Sequence, residues 1–270
     1  MVRALQRMST SGKMLLILDL FDVAHPHWSV EEAATTLGLA TSTAYRHFAG
    51  LSTAGLIAPS SSGRYVLGPA IVRYDRQLRL TDPLISAADG EMRRLSRMKP
   101  GRTVVFICRL LGGQVMCVHQ AAAGDPAFAV GYERGRPMPL VAGSASKAIL
   151  AHLPPRQLRS LYDRLGRSEA IGLGESWEDF RDGLRAIRSA GYVQSESEID
   201  EGMRGISVPI VDPANSIVAS LSIAGPVAQI TAAEADRLRE ELRVAVERVR
   251  ARLAATGIAS RGEVLPVTAR

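Results

Sequence analysis

The chain has 270 residues, of which 46% are hydrophobic and 22% charged, a composition typical of a folded protein of one or two domains and not of a disordered chain. Its two cysteines, Cys108 and Cys117, lie in apolar runs typical of small buried side chains and give no disulfide framework of the secreted kind. The longest apolar run near the N-terminus, Met14 to Leu18, is too short for a signal peptide or a membrane span, so we expect a cytoplasmic protein with no membrane association.

The formal charge of +6 is unevenly concentrated. Residues 1–80 contain 8 Lys/Arg and 5 Asp/Glu, hence +3, and the much longer remainder contains 25 and 22, also +3. The N-terminal segment therefore has the higher positive charge density. This weakly favours a polyanionic partner such as nucleic acid for that segment.

Two helices around a tight turn are predicted near the N-terminus, after an amphipathic first helix over Ser11 to Val23. The first of the pair covers Val30 to Leu37, with Ser29 as its N-cap and Glu32 completing a capping box. Gly38 is expected to end it because glycine accepts positive φ.

The second helix of the pair begins at Thr41-Ser42-Thr43, whose hydroxyls suit a helix start, and runs to about Leu51. Ala44, Phe48 and Leu51 are predicted to be buried. The opposite side would present Thr41, Ser42, Thr43, Arg46 and His47. Hydroxyls and helix N-termini bind phosphates, and arginine binds phosphates or guanine edges, so the helix pair by itself fits a DNA-binding helix-turn-helix and a surface helix of a generic bundle equally well.

A short hairpin is predicted to follow the second helix. Leu56-Ile57 and the alternating Tyr65 and Leu67 flank a polar tip that contains Gly63, and Arg64 lies beside that tip. A hairpin in this position is typical of the winged variant of the motif. Pro69 to Leu80 is then predicted to form a stiff connecting helix.

The rest of the chain changes period between helical and strand patterns, which predicts a mostly antiparallel sheet with helices packed on it. Strands are predicted over Thr103–Arg109, Gln114–Gln120, Ala127–Tyr132, Tyr192–Glu196, Gly205–Val211 and Ile217–Gly225. Helices are predicted over Asp82–Met98, Val141–His152, Pro154–Leu165, Trp177–Ala190 and Thr231–Ala255, and residues 256–270 are expected to be disordered.

Small and polar residues occupy strand positions that would ordinarily be apolar. Ser222 and Ala224 share one face of the sheet, and Gly205 and Ser207 share a face on the neighbouring strand. This face either leaves room for a ligand or lets a helix pack closely on the sheet. The stretch 142–145 enters a helix whose free N–H groups could hold a carboxylate.

The sequence resembles the IclR family of bacterial transcription regulators over about residues 11–255. The resemblance is carried by Ala34, Gly38-Leu39, the run Ser42-Thr43-Ala44-Tyr45-Arg46, Leu51, Ala54-Gly55-Leu56 and Gly63-Arg64-Tyr65-x-Leu67-Gly68, and later by Pro139-Leu140, Lys147-Ala148, Gly191-Tyr192, Glu201-Gly202 and Gly225-Pro226. It implies an α+β chain with a winged helix-turn-helix domain (1–68), a linker helix (69–80) and a GAF-like α/β effector-binding domain (81–255).

The resemblance also implies partners and site residues. The partners would be double-stranded DNA with a palindromic operator, a small-molecule effector and a second copy of the chain, as a homodimer or a dimer of dimers. DNA would be bound by Thr41, Ser42, Thr43, Tyr45, Arg46, His47 and Arg64. The effector would be bound by Ala142, Gly143, Ser195, Gly205, Ser222 and Ala224.

Two effector positions depart from the family pattern. Ser195 stands where Asp is common, and Gly205 stands where Cys is common. Both changes remove bulk, and the first removes a negative charge. We therefore expect a wider, less acidic pocket that suits a bulkier or aromatic acid.

Other functions fit the sequence less well. Ser144-x-x-Lys147 matches the short motif of Ser–Lys hydrolases, but the companion motifs S-D-N and K-T-G do not follow it. His25 and His27 have no partner at metal-ligand spacing, so no metal site is expected. The chain is also expected to bind no cofactor and not to be an enzyme. A ligand-sensing module that binds no DNA is a further alternative, against which Arg46 and the predicted wing argue.

Overall fold

The computed structural model describes residues 9–124, 133–170, 176–213 and 217–260. It divides into two compact units, Met1–Thr81 and Asp82–Arg270. The described elements of the first unit are α1 (Thr10–Leu15), a 3₁₀ turn (Leu18–Leu20), α2 (Val30–Leu37), α3 (Thr41–Thr53), β1 (Ile57–Pro59), a second 3₁₀ turn (Ser61–Gly63), β2 (Tyr65–Leu67) and α4 (Pro69–Thr81).

The helix pair forms as the sequence predicts. The Ser29 hydroxyl accepts from the Glu32 N–H and the Glu32 carboxylate accepts from the Ser29 N–H, so the capping box is confirmed. Gly38 ends α2 with φ 61°, in the left-handed region that glycine favours. Ala44, Phe48 and Leu51 of α3 pack against α2 in one buried cluster.

The first helix is shorter than predicted. α1 ends at Leu15 instead of Val23, and a 3₁₀ turn follows. The Leu20 carbonyl accepts a hydrogen bond from the indole Nε1 of Trp28 at 2.8 Å. The segment after α1 is thus tied to a later loop, a contact that the local sequence pattern does not specify.

The predicted wing is an antiparallel hairpin. Ile57 pairs with Leu67 and Pro59 with Tyr65, and Tyr65 also exchanges two backbone hydrogen bonds with Trp28. At the base of the wing, a β-carbon on Gly68 would lie 2.2 Å from the Gly55 carbonyl oxygen, so only glycine fits there.

The described strands of the second unit form one six-stranded sheet in which every pair of neighbouring strands is antiparallel, in the order β5-β4-β3-β8-β7-β6. Its strands are β3 (Val104–Leu111), β4 (Gln114–Ala121), β5 (Pro137–Met138), β6 (Val193–Glu196), β7 (Met203–Asp212) and β8 (Ile217–Pro226). Its helices are α5 (Pro83–Ser96), α6 (Ser144–Leu150), α7 (Pro155–Ala170), α8 (Trp177–Ala190) and α9 (Ala232–Ser260).

The two faces of this sheet differ in chemistry. One face packs its aliphatic side chains against α5 and α9. The other lies under α6, α7 and α8 and carries the serines together with Cys108 and Cys117, which are free, buried and directly opposite each other on β3 and β4. The cysteines are therefore core residues, as predicted.

Some predicted boundaries need correction, and others lie outside the described residues. α6 starts at Ser144 instead of Val141 because Gly143 has φ 79°, which no helix contains. α9 continues to Ser260, so the residues just after Ala255 are helical and not disordered. The predicted strand Ala127–Tyr132 and residues 261–270 are not among those described. None of the described helices has the length and apolar character that a membrane crossing requires.

His47 lies on the buried side of α3, which corrects its predicted place among the DNA-facing residues. Only 4% of the residue is exposed, and its Nε2 has no hydrogen-bond partner among the described residues. Burial, helped by the neighbouring charge of Arg46, lowers the pKa of His47. The sequence misplaced it because position 47 borders the stripe formed by Ala44, Phe48 and Leu51.

We predict that His47 makes the chain less stable in mild acid. Its folded-state pKa lies below the unfolded value of about 6.5, so the unfolded chain takes up the proton first as the pH falls below that value. Urea unfolding at a series of pH values from neutral to mildly acidic should show this loss, and His47→Gln should reduce it. His152 of the second unit also has a lowered pKa, so part of the dependence should remain.

The matched control is His27→Gln, which removes an exposed histidine of the same unit. It should leave the pH dependence of the unfolding free energy as in the wild type. An unchanged pH dependence in His47→Gln would contradict the role assigned to His47.

Candidate DNA-binding and effector-binding sites

The outer face of α3 carries most of the residues predicted to bind DNA. Thr41, Ser42, Tyr45 and Arg46 are exposed, and Thr43 is half-buried. The N-cap of α3 is Ala40, which makes no side-chain hydrogen bond, so the hydroxyls expected to cap this helix do not do so. They remain on the surface beside the first turn of the helix.

Arg46 supplies a cation on this face. Within the described part of the chain its guanidinium forms no salt bridge. An exposed arginine one turn after a set of hydroxyls can reach a phosphate or the edge of a guanine.

Tyr45 joins the two helices of the motif. Its hydroxyl donates to Glu31 Oε1 of α2 at 2.6 Å, while the residue stays 54% exposed. This hydrogen bond raises the pKa of Tyr45 and lowers the pKa of Glu31. Tyr45 therefore links α2 to α3 from the solvent side and still presents its ring at the surface.

Arg64 of the wing is held by acceptors of its own unit. Its guanidinium donates to the Glu32 carboxylate and, at 3.3 Å, to the His27 carbonyl. Glu32 is the acidic member of the capping box. The Ser29 N–H, followed by the charge of Arg64, lowers the pKa of Glu32. The wing is thus connected to the start of α2 through one ion pair.

The strand register brings most of the predicted effector residues together. Ser195, Gly205 and Ala224 lie side by side on β6, β7 and β8, and Ser207 and Ser222 form the next row. Helix α6 packs on this face and places Gly143 and Ser144 opposite it. Ala142 immediately precedes Gly143 and is half-buried.

Buried hydroxyls connect the sheet to α6. The Ser144 N–H donates to Ser195 Oγ at 3.0 Å, and its hydroxyl lies 2.8 Å from Ser207 Oγ. Ser207 Oγ lies 2.7 Å from Ser222 Oγ, and Ser220 continues the chain at 3.4 Å. Because these polar groups satisfy one another, α6 sits closely on the small side chains, as one of the two interpretations of the sequence expected.

Glu198 is a residue of this region that sequence reasoning missed. It lies in the β6–β7 loop, and its carboxylate accepts from the Gly143 N–H at 2.8 Å and pairs with Lys147 Nζ at 2.7 Å. No local pattern marks Glu198, because its partners are about 50 residues away in the chain. The start of α6, predicted to offer free N–H groups, is therefore occupied by the chain itself.

The Ser–Lys hydrolase arrangement is not present. The Lys147 ammonium pairs with Glu198, and the Ser144 hydroxyl bonds to Ser207, so no described hydrogen bond joins Ser144 to Lys147. A serine nucleophile requires a base within hydrogen-bond reach. Among the described residues, no group of three or more His, Cys, Asp or Glu side chains is placed to hold a metal ion.

Two family models match the chain. Residues 12–60 match the IclR helix-turn-helix domain, and residues 80–251 match the C-terminal domain of the bacterial transcriptional regulator IclR. The second match alone spans more than half of the chain.

Curated relatives are similar over most of their length. BhcR of Paracoccus denitrificans is 30% identical, over 83% of this chain and 78% of BhcR. KipR of Bacillus subtilis is 23% identical, over 87% of this chain and 92% of KipR. XynR of Escherichia coli is 26% identical over 86% and 92%. All three are named HTH-type transcriptional regulators, not enzymes.

Solved structures show the same fold. A regulator from Alicyclobacillus acidocaldarius superposes with a TM-score of 0.75 at 21% identity, over 92% of this chain and 99% of its own. An IclR homologue from Microbacterium hydrocarbonoxydans, solved with 4-hydroxybenzoate, superposes with a TM-score of 0.73 at 22% identity, over 92% of this chain and 100% of the homologue. The chain belongs to the IclR family of DNA-binding transcriptional regulators, with a helix-turn-helix domain followed by an effector-binding domain.

Proposed function

We propose that this regulator binds a palindromic operator in double-stranded DNA as a homodimer, and that a small organic acid controls that binding. The observation that carries the DNA-binding part is the outer face of α3. There Thr41, Ser42 and Arg46 are exposed beside the first turns of the second helix of a helix-turn-helix.

In this proposal α3 lies in the major groove. Its hydroxyls and first N–H groups contact phosphates, which fixes the register of the helix, and Arg46 contacts a guanine edge or a phosphate. Tyr45 contacts the backbone while it holds α2. Arg64 reaches the DNA from the wing after it exchanges Glu32 for a phosphate.

The exposed surface of the connecting helix α4 is an argument for the proposed homodimer. Its exposed side chains include Val72, Tyr74, Leu78 and Leu80, which are between 45% and 69% exposed in the single chain. Large apolar side chains that recur along one helix are usually covered by a partner. Two copies would place two α3 helices on half-sites roughly 34 Å apart.

The proposed effector is a small acid with an apolar or aromatic body. Lys147 and the Gly143 N–H supply groups that bind a carboxylate, and Ser195 and Gly205 are smaller than the residues common in the family. One structural neighbour, at 22% identity, was solved with the aromatic acid 4-hydroxybenzoate. The effector would act by binding two conformations of the protein with unequal affinity.

We predict that Arg46→Ala weakens binding to the chain's own upstream DNA by about 10- to 100-fold, the usual effect of losing a specific arginine contact. Fluorescence anisotropy with labelled DNA at fixed salt measures this directly. Arg237→Ala on α9 is the control, since it removes an equal charge from an exposed position of the other unit. If Arg46→Ala bound the DNA as tightly as the wild type, α3 would not be the surface that contacts the bases; if neither protein bound it, a ligand sensor without DNA binding would become the better account.

A second prediction separates the two possible roles of Arg64. If Arg64 binds a phosphate, Arg64→Gln should weaken operator binding roughly tenfold and lower the slope of log affinity against log salt by about 0.9 per protomer. Glu32→Gln keeps a capping-box acceptor but frees the arginine, so it should strengthen binding several-fold. The account would be contradicted if Arg64→Gln and Glu32→Gln weakened binding equally and the double variant bound no more weakly than either. The salt slope would then also equal that of the wild type. Arg64 would then only position the wing.

A further inference from the structure

The β6–β7 loop, residues 197–202, extends from the sheet to the start of α6. Two consecutive residues make the contact. The Glu198 carboxylate binds the Gly143 N–H and Lys147 Nζ, at 2.8 Å and 2.7 Å. The Ile199 side chain packs beside Gly143 and against the core under α6. We call this loop the strap.

The ion pair of the strap is shielded from water mainly on its Lys147 side. The Lys147 side chain is only 13% exposed and that of Glu198 31%, so their attraction is screened less than that of a surface pair. The Glu198 carboxylate also accepts from the N–H of Gly143, one of the predicted effector residues. Three residues before Glu198, the Ser195 hydroxyl accepts from the Ser144 N–H. The pair therefore lies at the edge of the serine-lined face.

Gly143 has the shape that the strap requires. A β-carbon on Gly143 would lie 2.9 Å from Ile199 Cγ1, closer than a real β-carbon approaches, and its φ of 79° also favours glycine. Ile199 thus fills the space that a side chain at position 143 would take. An acid ligand that bound here would meet both Glu198 and Ile199.

The strap has a stiff base. Ser197 is a non-glycine residue with φ 54°, a sparsely populated conformation that only the surrounding structure maintains. Its N–H donates to the Met203 carbonyl at 2.8 Å, and its hydroxyl accepts from the Gly202 N–H at 3.0 Å. These bonds close the loop across its two ends, and the Gly202 carbonyl also accepts from the Val227 N–H at 2.8 Å, so the base of the strap is held to the sheet.

We propose that the strap is an internal competitor for the effector, and this inference rests on the proposed acid-controlled function. Glu198 and Ile199 present a carboxylate next to an apolar group, which are the two features of an acid with an aromatic or branched body. Such an effector displaces the strap: its carboxylate replaces that of Glu198 on Gly143 and Lys147, and its apolar body replaces Ile199. The effector's apparent affinity is reduced by the fraction of molecules in which the strap is closed.

The test is calorimetric titration of the full chain with benzoate at fixed ionic strength. Glu198→Gln keeps an acceptor for Gly143 but removes the charge that holds Lys147, so benzoate should bind roughly tenfold more tightly than to the wild type. Glu201→Gln removes the same charge from an exposed position of the same loop and should change the affinity less than twofold. Lys147→Met should abolish the gain when combined with Glu198→Gln.

The outcomes separate the strap from the proposed function. If the wild type binds benzoate and Glu198→Gln binds it equally well or more weakly, only the competition by the strap is contradicted. No binding of benzoate or 4-hydroxybenzoate by either protein would overturn both the strap and the acid effector. Hydrogen exchange of the wild type needs no variant: peptides covering residues 197–202 should exchange faster with benzoate bound, and slower or unchanged exchange would contradict the displacement.

Discussion

In each of the two proposed sites, one cation is held by a carboxylate of the chain itself. Glu32 pairs with Arg64 on the wing, and Glu198 pairs with Lys147 beside α6. The Lys147 side chain is only 13% exposed, so its charge is costly without a counter-ion, whereas the Arg64 side chain is 43% exposed and its pair is closer to a surface ion pair. Any phosphate or carboxylate ligand then binds by exchange, and its affinity is the difference between two ion pairs. Arg46, which forms no salt bridge within the described residues, is the contrasting case.

Close packing places these pairs. Glycines at 55 and 68 allow the base of the wing to meet the end of α3, and Gly143 allows Ile199 to lie against the start of α6. In the second unit the aliphatic face of the sheet packs against α5 and α9. On the opposite face, buried hydroxyls join the sheet to α6. The second face therefore combines a buried apolar cluster with hydroxyl–hydroxyl contacts.

The sequence predicts those parts of the fold that local interactions decide. The capping box of α2, the Gly38 stop, the wing hairpin and the bounds of α8 all rest on residues within a few positions of one another. Long-range contacts decide the rest. The first helix ends early, before a segment that Trp28 of a later loop binds through the Leu20 carbonyl, and the side of α3 on which His47 falls depends on neighbours that the helical period alone does not specify. For the effector region, alternation along the strands predicts the shared face, but the contact of Glu198 with Lys147 spans 51 positions and has no local signature.

Operator binding by a symmetric dimer is the central claim, and a footprint of the purified protein on the DNA upstream of its own gene tests it most directly. At two salt concentrations, we expect a protected inverted repeat whose half-sites are about one helical turn apart, with protection that weakens steeply as salt rises. Protection of a single unrepeated site would contradict the dimer. No protection at low salt, either alone or with pooled aromatic and short-chain acids, would contradict operator binding itself.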